Sequence, residues 1–418
     1  MNRRDFLKHS ANAGTLLAFS SLVPSFLTRS AVAAGSVRNG KPTALVVVQL
    51  SGGNDGLNTV IPFEDDQYHR QRPTLRVTPN QVLKIEPRLG LHPEMIAMQR
   101  LYRDGLVSIA QGVGCPNSNR NHEIAMRDWH TAKPRDAVSQ TGWLGRAVDQ
   151  SYQPLTADLP GVFVGQIRPP LGIQAEQAVV PSIRGGTSWE KNTELAWLKK
   201  TTSEDADLAN ATAAASSADL LEFVRQASAV SVRATRRLEH AAHSSGLAGP
   251  GTYPQYRLAQ TLRTVAQLVR AELGIRIYYV ELGGGNIGGF DTHAGQAANH
   301  GALLRELAES VAAFMHDLKQ DQLADRVLLM TFSEFGRTLS ENGRRGTGHG
   351  SAAPMLLVSG GVQGGIIGAH PSLTNLEEDA PKFHTDFRRV YATVLDRWLG
   401  LDSQPILGGS FAPIDLVV

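Results

Sequence analysis

The chain has 418 residues, with 41 Lys and Arg against 39 Asp and Glu and a formal net charge of +2. That near balance offers no basic surplus for a nucleic-acid partner. Cys115 is the only cysteine, which excludes an intramolecular disulfide, an iron–sulfur site and a C-x-x-C-H haem motif, so stability has to come from a buried core.

The N-terminus places Arg3-Arg4 before Phe6-Leu7-Lys8, followed by a weakly apolar stretch from Ala11 to Leu27 and by Ala31-Val32-Ala33. A charged region, a short apolar region and a small-residue cleavage pattern predict a twin-arginine (Tat) signal peptide over residues 1–34, cut near Ala33 or Ala34. The competing reading is an uncleaved anchor, but Gly14, Pro24 and several serines interrupt a stretch already shorter than the roughly 20 apolar residues a span needs. The expected partner during export is the Tat translocase, and the expected location is the periplasm or the exterior, with no stable membrane span after cleavage. About 385 residues remain, enough for a single large α/β domain over 35–418.

Ala44–Leu50 is a nearly continuous apolar run that stops at Ser51-Gly52-Gly53, as a buried parallel strand entering an open loop does. Runs at 107–111, 161–165, 275–282, 326–332 and 354–359 follow the same pattern. Between them lie helical patterns at 123–131, 204–243, 255–273, 298–319 and 386–399. Alternation of this kind predicts an α/β fold: a mainly parallel sheet with helices on both faces. Residues 154–197, rich in Pro and Gly, read as an irregular insertion or cap.

In such sheets ligands sit beyond the carboxyl ends of the strands, and several loops there carry chemistry. Asp55, in Ser51-Gly52-Gly53-Asn54-Asp55-Gly56, is either a hard oxygen ligand or part of an Asp-Gly turn. In Cys115-Pro116-Asn117-Ser118-Asn119-Arg120-Asn121-His122-Glu123, Asn121 is placed to cap a helix whose N-terminus would attract an anion. Cys115 itself reads as a packed thiol.

The loop from Gly283 contains a formal G-x-G-x-x-G, but no helix opens on its third glycine, which argues against a nucleotide site. Asp291 and His293, two apart in extended chain, face one side and either share a metal or form a structural pair. His300 reads as a surface histidine more readily than as a further ligand. Glu334 follows the end of a buried run, with Arg337 three residues on, either as an oxyanion holder or as an ion-pair partner. His349 lies in the glycine-rich Arg344–Ser351. Asp55, Asp291, His293, Glu334 and His349 together make a donor set suited to a divalent cation of the Zn or Mn kind.

The leader, LVVVQLSGGNDGLNTVIP from Leu45, GLHPEM from Gly90, QGVGCPNSNRNHEIAMRDW from Gln111, TGWLGR from Thr141, FDTHAGQ from Phe290, TFSEFGRT from Thr331, GTGHGSAAPMLLV from Gly346 and DFRRVYATVLDRWLG from Asp386 occur in this order. Together they resemble the Tat-exported bacterial domain-of-unknown-function family 1501, related to the alkaline phosphatase and sulfatase superfamily. The resemblance implies an alkaline-phosphatase-like sandwich, metal ligands at Asp55, Asp291, His293, Glu334 and His349, and a hydroxyl nucleophile at a helix N-terminus. It implies Arg337 or Arg120 as holders of phosphate or sulfate oxygens. Two positions depart from that pattern: Asn121 stands where relatives carry Ser, and Gly348 where they carry Asp. The expected function is a metal-dependent hydrolase of phosphate or sulfate esters, a small phosphorylated or sulfated substrate being its ligand. The alternative is a catalytically silent binding or assembly protein of the cell envelope.

Overall fold

A computed structural model describes residues 37–38, 41–152, 160–165, 168–183, 253–283 and 289–416. The leader, the helical pattern at 204–243 and most of the glycine loop after Gly283 lie outside the described residues.

Nine strands form one sheet: β1 (Ala44–Leu50), β2 (Val107–Gly114), β3 (Gly161–Val164), β4 (Ser182–Ile183), β5 (Ile277–Leu282), β6 (Val327–Phe332), β7 (Ala353–Val358), β8 (Gly365–Ile367) and β9 (Thr385–Asp386). Their spatial order is β8-β2-β7-β6-β1-β5-β3-β4, with β9 also beside β2. β5 and β6 flank β1 in parallel register, and β3 runs parallel to β5. β7 is antiparallel to both its neighbours, β6 and β2. The sheet is thus mainly parallel, and hydropathy could not have revealed the reversed strand, because a strand buried on both faces looks the same in either direction.

Side chains alternate between two cores, as strand geometry requires. Val46, Val48 and Leu50 of β1 face one layer with Leu262, Leu304 and Val311. These come from α4 (Arg257–Arg270) and α5 (Gln296–Gln320), and α1 (Ile96–Arg103) packs on the same side. Leu45 and Val47 face the other, with Trp129, Trp143 and Tyr391. Those belong to α2 (His122–Thr131), α3 (Trp143–Ser151) and α6 (Phe387–Thr393). Helices therefore cover both faces.

Within the stretch expected as an irregular insertion or cap, Gly161–Val164, part of the expected apolar run at 161–165, and Ser182–Ile183 extend the main sheet beyond β5; residues 153–159, 166–167 and 184–197 lie outside the described residues. Among the described residues no helix is long and apolar enough to cross a membrane.

Candidate metal centre

Five components meet beyond the carboxyl ends of β1, β5 and β6. The loop after β1 turns through Gly52 at φ +114°, where a Cβ would stand 2.4 Å from the Asp291 backbone nitrogen. Only glycine allows that approach. The loop after β5 then presents Asp291 and His293, and the one after β6 presents Glu334 and Phe335. A hairpin pairs Arg337–Glu341 with Thr347–His349 and sets Arg337 opposite His349. The last component is the start of α2, where Asn121 caps the helix by accepting from the N–H groups of Glu123 and Ile124, as its sequence position predicts.

Asp291 Oδ1 is the focus. Arg337 Nη2 donates to it at 2.7 Å, and the Nε2 atoms of His293, His349 and His122 stand 2.9, 3.2 and 3.4 Å away. His293 Nε2 and His349 Nε2 are 2.9 Å apart. Donor atoms from His122, Asp291 and His349 all lie within 4.8 Å of one another. Asp291 and His122 keep 37% and 38% of their side chains exposed, so the centre opens to solvent on one side.

The outer hydrogen bonds fix the imidazole tautomers. His122 Nδ1 lies 2.9 Å from Glu334 Oε1, an atom that can only accept when ionised, so Nδ1 carries the proton and the lone pair sits on Nε2. That Nε2 is buried without a hydrogen-bond partner among the described residues. His349 Nδ1 likewise faces the Arg120 carbonyl at 2.6 Å, leaving its lone pair on Nε2, toward Asp291. Metal-ligating histidines are oriented in this way, the second nitrogen donating to a carboxylate or carbonyl. Two imidazoles and one carboxylate thus fit a divalent cation of borderline character, with His293 Nε2 beside two of the three.

The electrostatics agree with a concentrated site. Burial raises the Asp291 pKa, but the hydrogen bond and charge of Arg337, with His349 and His293, outweigh it and bring the group down to about 2. His122 is raised, chiefly by its hydrogen bond to Glu334, whereas burial lowers His349.

The remaining residues expected at the site occupy other places. Asp55 is buried and separate: Oδ2 takes Arg72 Nη1 at 2.6 Å and Gln296 Nε2 at 2.5 Å, while Oδ1 caps the Leu57 N–H. With three donors of its own chain around it and 1% of its surface exposed, the carboxylate is committed to the protein. Arg337 is 1% exposed, and its guanidinium is occupied by the carbonyls of Gly52, Gly53, Phe290 and Thr347 besides Asp291. It positions Asp291 and has no free edge for an oxyanion. Arg120 turns away to the carbonyls of Glu377 and Glu378. Glu334 enters through His122, and its Oε1 also accepts from Gly52 N at 2.9 Å.

His300 is not on the surface: it is 1% exposed, bonded to Asn54 Oδ1, and burial lowers its pKa to about 3. Cys115 is packed as expected, with burial pushing its thiol up to about 12. His122 was not among the expected ligands. Its signal was the cap itself, since an Asn N-cap fixes the next residue as the first of the helix, at the anion-attracting end.

A family model described as "Protein of unknown function (DUF1501)" matches residues 107–410. The chain belongs to this family. The matched span contains His122, Asp291, His293, Glu334, Arg337 and His349. No curated protein matches the chain.

Solved structures share its general architecture at low identity. The C-terminal periplasmic domain of EcEptC from Escherichia coli, in complex with Zn, is 11% identical with a TM-score of 0.37, over 76% of this chain and 74% of that one. The PsFucS1 sulfatase from Pseudoalteromonas sp. is 10% identical with a TM-score of 0.37, over 92% and 72%. A protein in the alkaline phosphatase superfamily from Vibrio parahaemolyticus is 10% identical with a TM-score of 0.36, over 82% and 71%. Scores of this size carry no argument about chemistry, which rests on the side chains of this chain.

Proposed function

We propose that this DUF1501 member is an exported, metal-dependent hydrolase of phosphate or sulfate esters. The observation that carries the reading is the inward-facing donor set: the Nε2 atoms of His122, His293 and His349 converge on Asp291 Oδ1 at 2.9 to 3.4 Å. Export rests on the leader sequence alone.

A bound divalent cation would polarise the ester oxygens and lower the pKa of the attacking group. The chain supplies the rest. His122, His349 and Asp291, with His293 beside them, would hold the cation, Glu334 fixes the His122 ring, and the Arg120 carbonyl fixes that of His349. Arg337 anchors Asp291 from beneath. The first turn of α2 offers its positive dipole end to the substrate anion. Asn121 cannot act as a nucleophile, so on this reading water attacks the phosphorus or sulfur directly, the alcohol leaves, and no phospho- or sulfo-enzyme forms at this position.

The reading is tested with 4-nitrophenyl phosphate and 4-nitrophenyl sulfate, using folded protein loaded with Zn or Mn. Turnover that vanishes with a chelator and in His349→Ala supports it. A second reading, a binding or envelope-assembly protein that keeps the metal and performs no chemistry, is favoured by two observations: the Asn121 amide oxygen is taken up in capping, and Arg337 is buried with each of its three nitrogens bonded within the chain. Stoichiometric metal with no turnover of either ester would select that second reading.

A further inference from the structure

Of the three histidines at the metal centre, two are held from outside: His122 Nδ1 faces Glu334, and His349 Nδ1 faces the Arg120 carbonyl. His293 Nδ1 has no such partner among the described residues, and 38% of the side chain is exposed. Its Nε2 nevertheless stands 2.9 Å from both Asp291 Oδ1 and His349 Nε2, with the His293 and His349 rings 4.7 Å apart at 42°. A ring without an outer grip keeps such a place through its main chain.

That main chain is held by Asn342, the first residue of the turn in the hairpin that carries His349. Asn342 Nδ2 donates to the His293 carbonyl at 3.0 Å, and among the described residues no other hydrogen bond reaches the His293 main chain. On either side the loop is fastened by the backbone alone: the Thr347 N–H donates to the Thr292 carbonyl and the Gly295 N–H to that of Arg344. Asn342 Oδ1 accepts from the N–H groups of Arg344 at 2.9 Å and Gly346 at 3.1 Å. An amide side chain has both an acceptor oxygen and a donor nitrogen, so one residue closes the turn with its oxygen and reaches across to His293 with its nitrogen. Gly346 permits the approach, since a Cβ there would stand 2.2 Å from the His293 carbonyl carbon.

The turn by itself does not call for Asn. Asp serves as well at the first position of such a turn, because only the side-chain oxygen is used there. The donor to His293 is what Asn alone adds. We infer, on the metal reading of this centre, that Asn342 is a positioning residue: its amide nitrogen fixes His293 against Asp291 and His349 and so brings a fourth donor beside the cation.

Asn342→Asp separates the two tasks. It keeps an acceptor for the Arg344 and Gly346 N–H groups and sets a second oxygen, without a proton, against the His293 carbonyl. The ring-nitrogen resonances of the histidine-labelled full chain, free of metal, read the outcome, with His293 assigned by its loss in His293→Gln. The His293 resonances should shift in Asn342→Asp and in Asn342→Ala, while those of the buried His130 and His300 stay in place. Glu341→Gln is the control, since Glu341 fastens the same hairpin to Thr74 and Leu75 and should leave His293 unmoved. Calorimetric titration with Zn should show affinity falling by about tenfold or more in Asn342→Ala. His293 resonances in Asn342→Asp that coincide with wild type, or an equal shift in Glu341→Gln, would overturn the proposal. So would a Zn affinity of Asn342→Ala within about twofold of wild type. A wild type that takes no Zn would sink the metal reading instead, and the metal-free resonances would still decide what places His293.

Discussion

Asp55 and Asp291 both follow buried strands and lie beneath the same loops, yet their surroundings are opposite. Asp55 is 1% exposed, and each oxygen is taken by a donor from the chain: Arg72, Gln296 and the Leu57 N–H. Gln296 in turn accepts from Thr347, in the hairpin strand that carries His349, and Arg72 donates to the carbonyls of Thr338 and Leu339. This is a closed buried clamp that holds the hairpin in place. Asp291 is partly open, and two of its neighbours, His122 and His349, have their Nδ1 atoms held by Glu334 and the Arg120 carbonyl, so that their Nε2 atoms face it. A carboxylate enclosed and satisfied by its own chain is structural; one that gathers imidazole Nε2 atoms on a solvent-open side is the candidate metal ligand.

The comparison is broken most forcefully at the clamp. Asp55→Ala leaves Arg72 buried and unpaired, which costs about 3–5 kcal/mol. Chemical denaturation should show that loss, and a change within 0.5 kcal/mol would mean that the Asp55 clamp is not structural. At the open centre the expected loss is in affinity instead. Asp291→Ala and His349→Ala should weaken divalent metal by at least about a hundredfold while leaving a cooperative unfolding transition. Glu334→Gln sharpens the assignment of the outer layer: with the His122 ring no longer held by a carboxylate, metal affinity should drop about 10- to 100-fold. Unchanged affinity would remove Glu334 from the account.

The smallest effect is one of pH. Burial raises the Asp55 pKa, but Arg72, His300 and Gln296 outweigh it and the group is lowered from 3.8. Its contribution to stability is therefore fully present above pH 3.8 and is lost as pH falls through the lower folded value. The stability gap between wild type and Asp55→Asn should stay constant from neutral pH down to about 4 and narrow only below that. A gap that closes near neutrality would contradict the clamp.

Much of this architecture is legible in the sequence, for reasons particular to each element. Ala44–Leu50 and Val327–Phe332 are readable because strands covered on both faces are continuous apolar runs. Residues 161–164 were readable as an apolar run of the same kind, whereas Ser182–Ile183 was not, because a two-residue strand leaves no periodicity to read. Asp291 and His293 stood out as candidates because they follow a strand-like run, and His349 because it lies in a glycine-rich loop before one. The assignment of Asp55 failed through Arg72, 17 residues away in Arg70-Gln71-Arg72-Pro73, which no local pattern connects to it. His300 was readable in principle, since it shares a helical stripe with Leu304, Leu307 and Val311, all buried. Arg337 shows the limit: its residue type suits an oxyanion, and only the carbonyls packed around it reveal that its donors are spent.

The most direct measurement is the metal content of the folded, metal-loaded protein by mass spectrometry, comparing wild type, Asp291→Ala, His349→Ala and Asp55→Asn. Wild type and Asp55→Asn should carry about one divalent cation per chain, and the other two should carry none. An empty wild type, or a metal lost from Asp55→Asn and kept by Asp291→Ala, would contradict the centre described here.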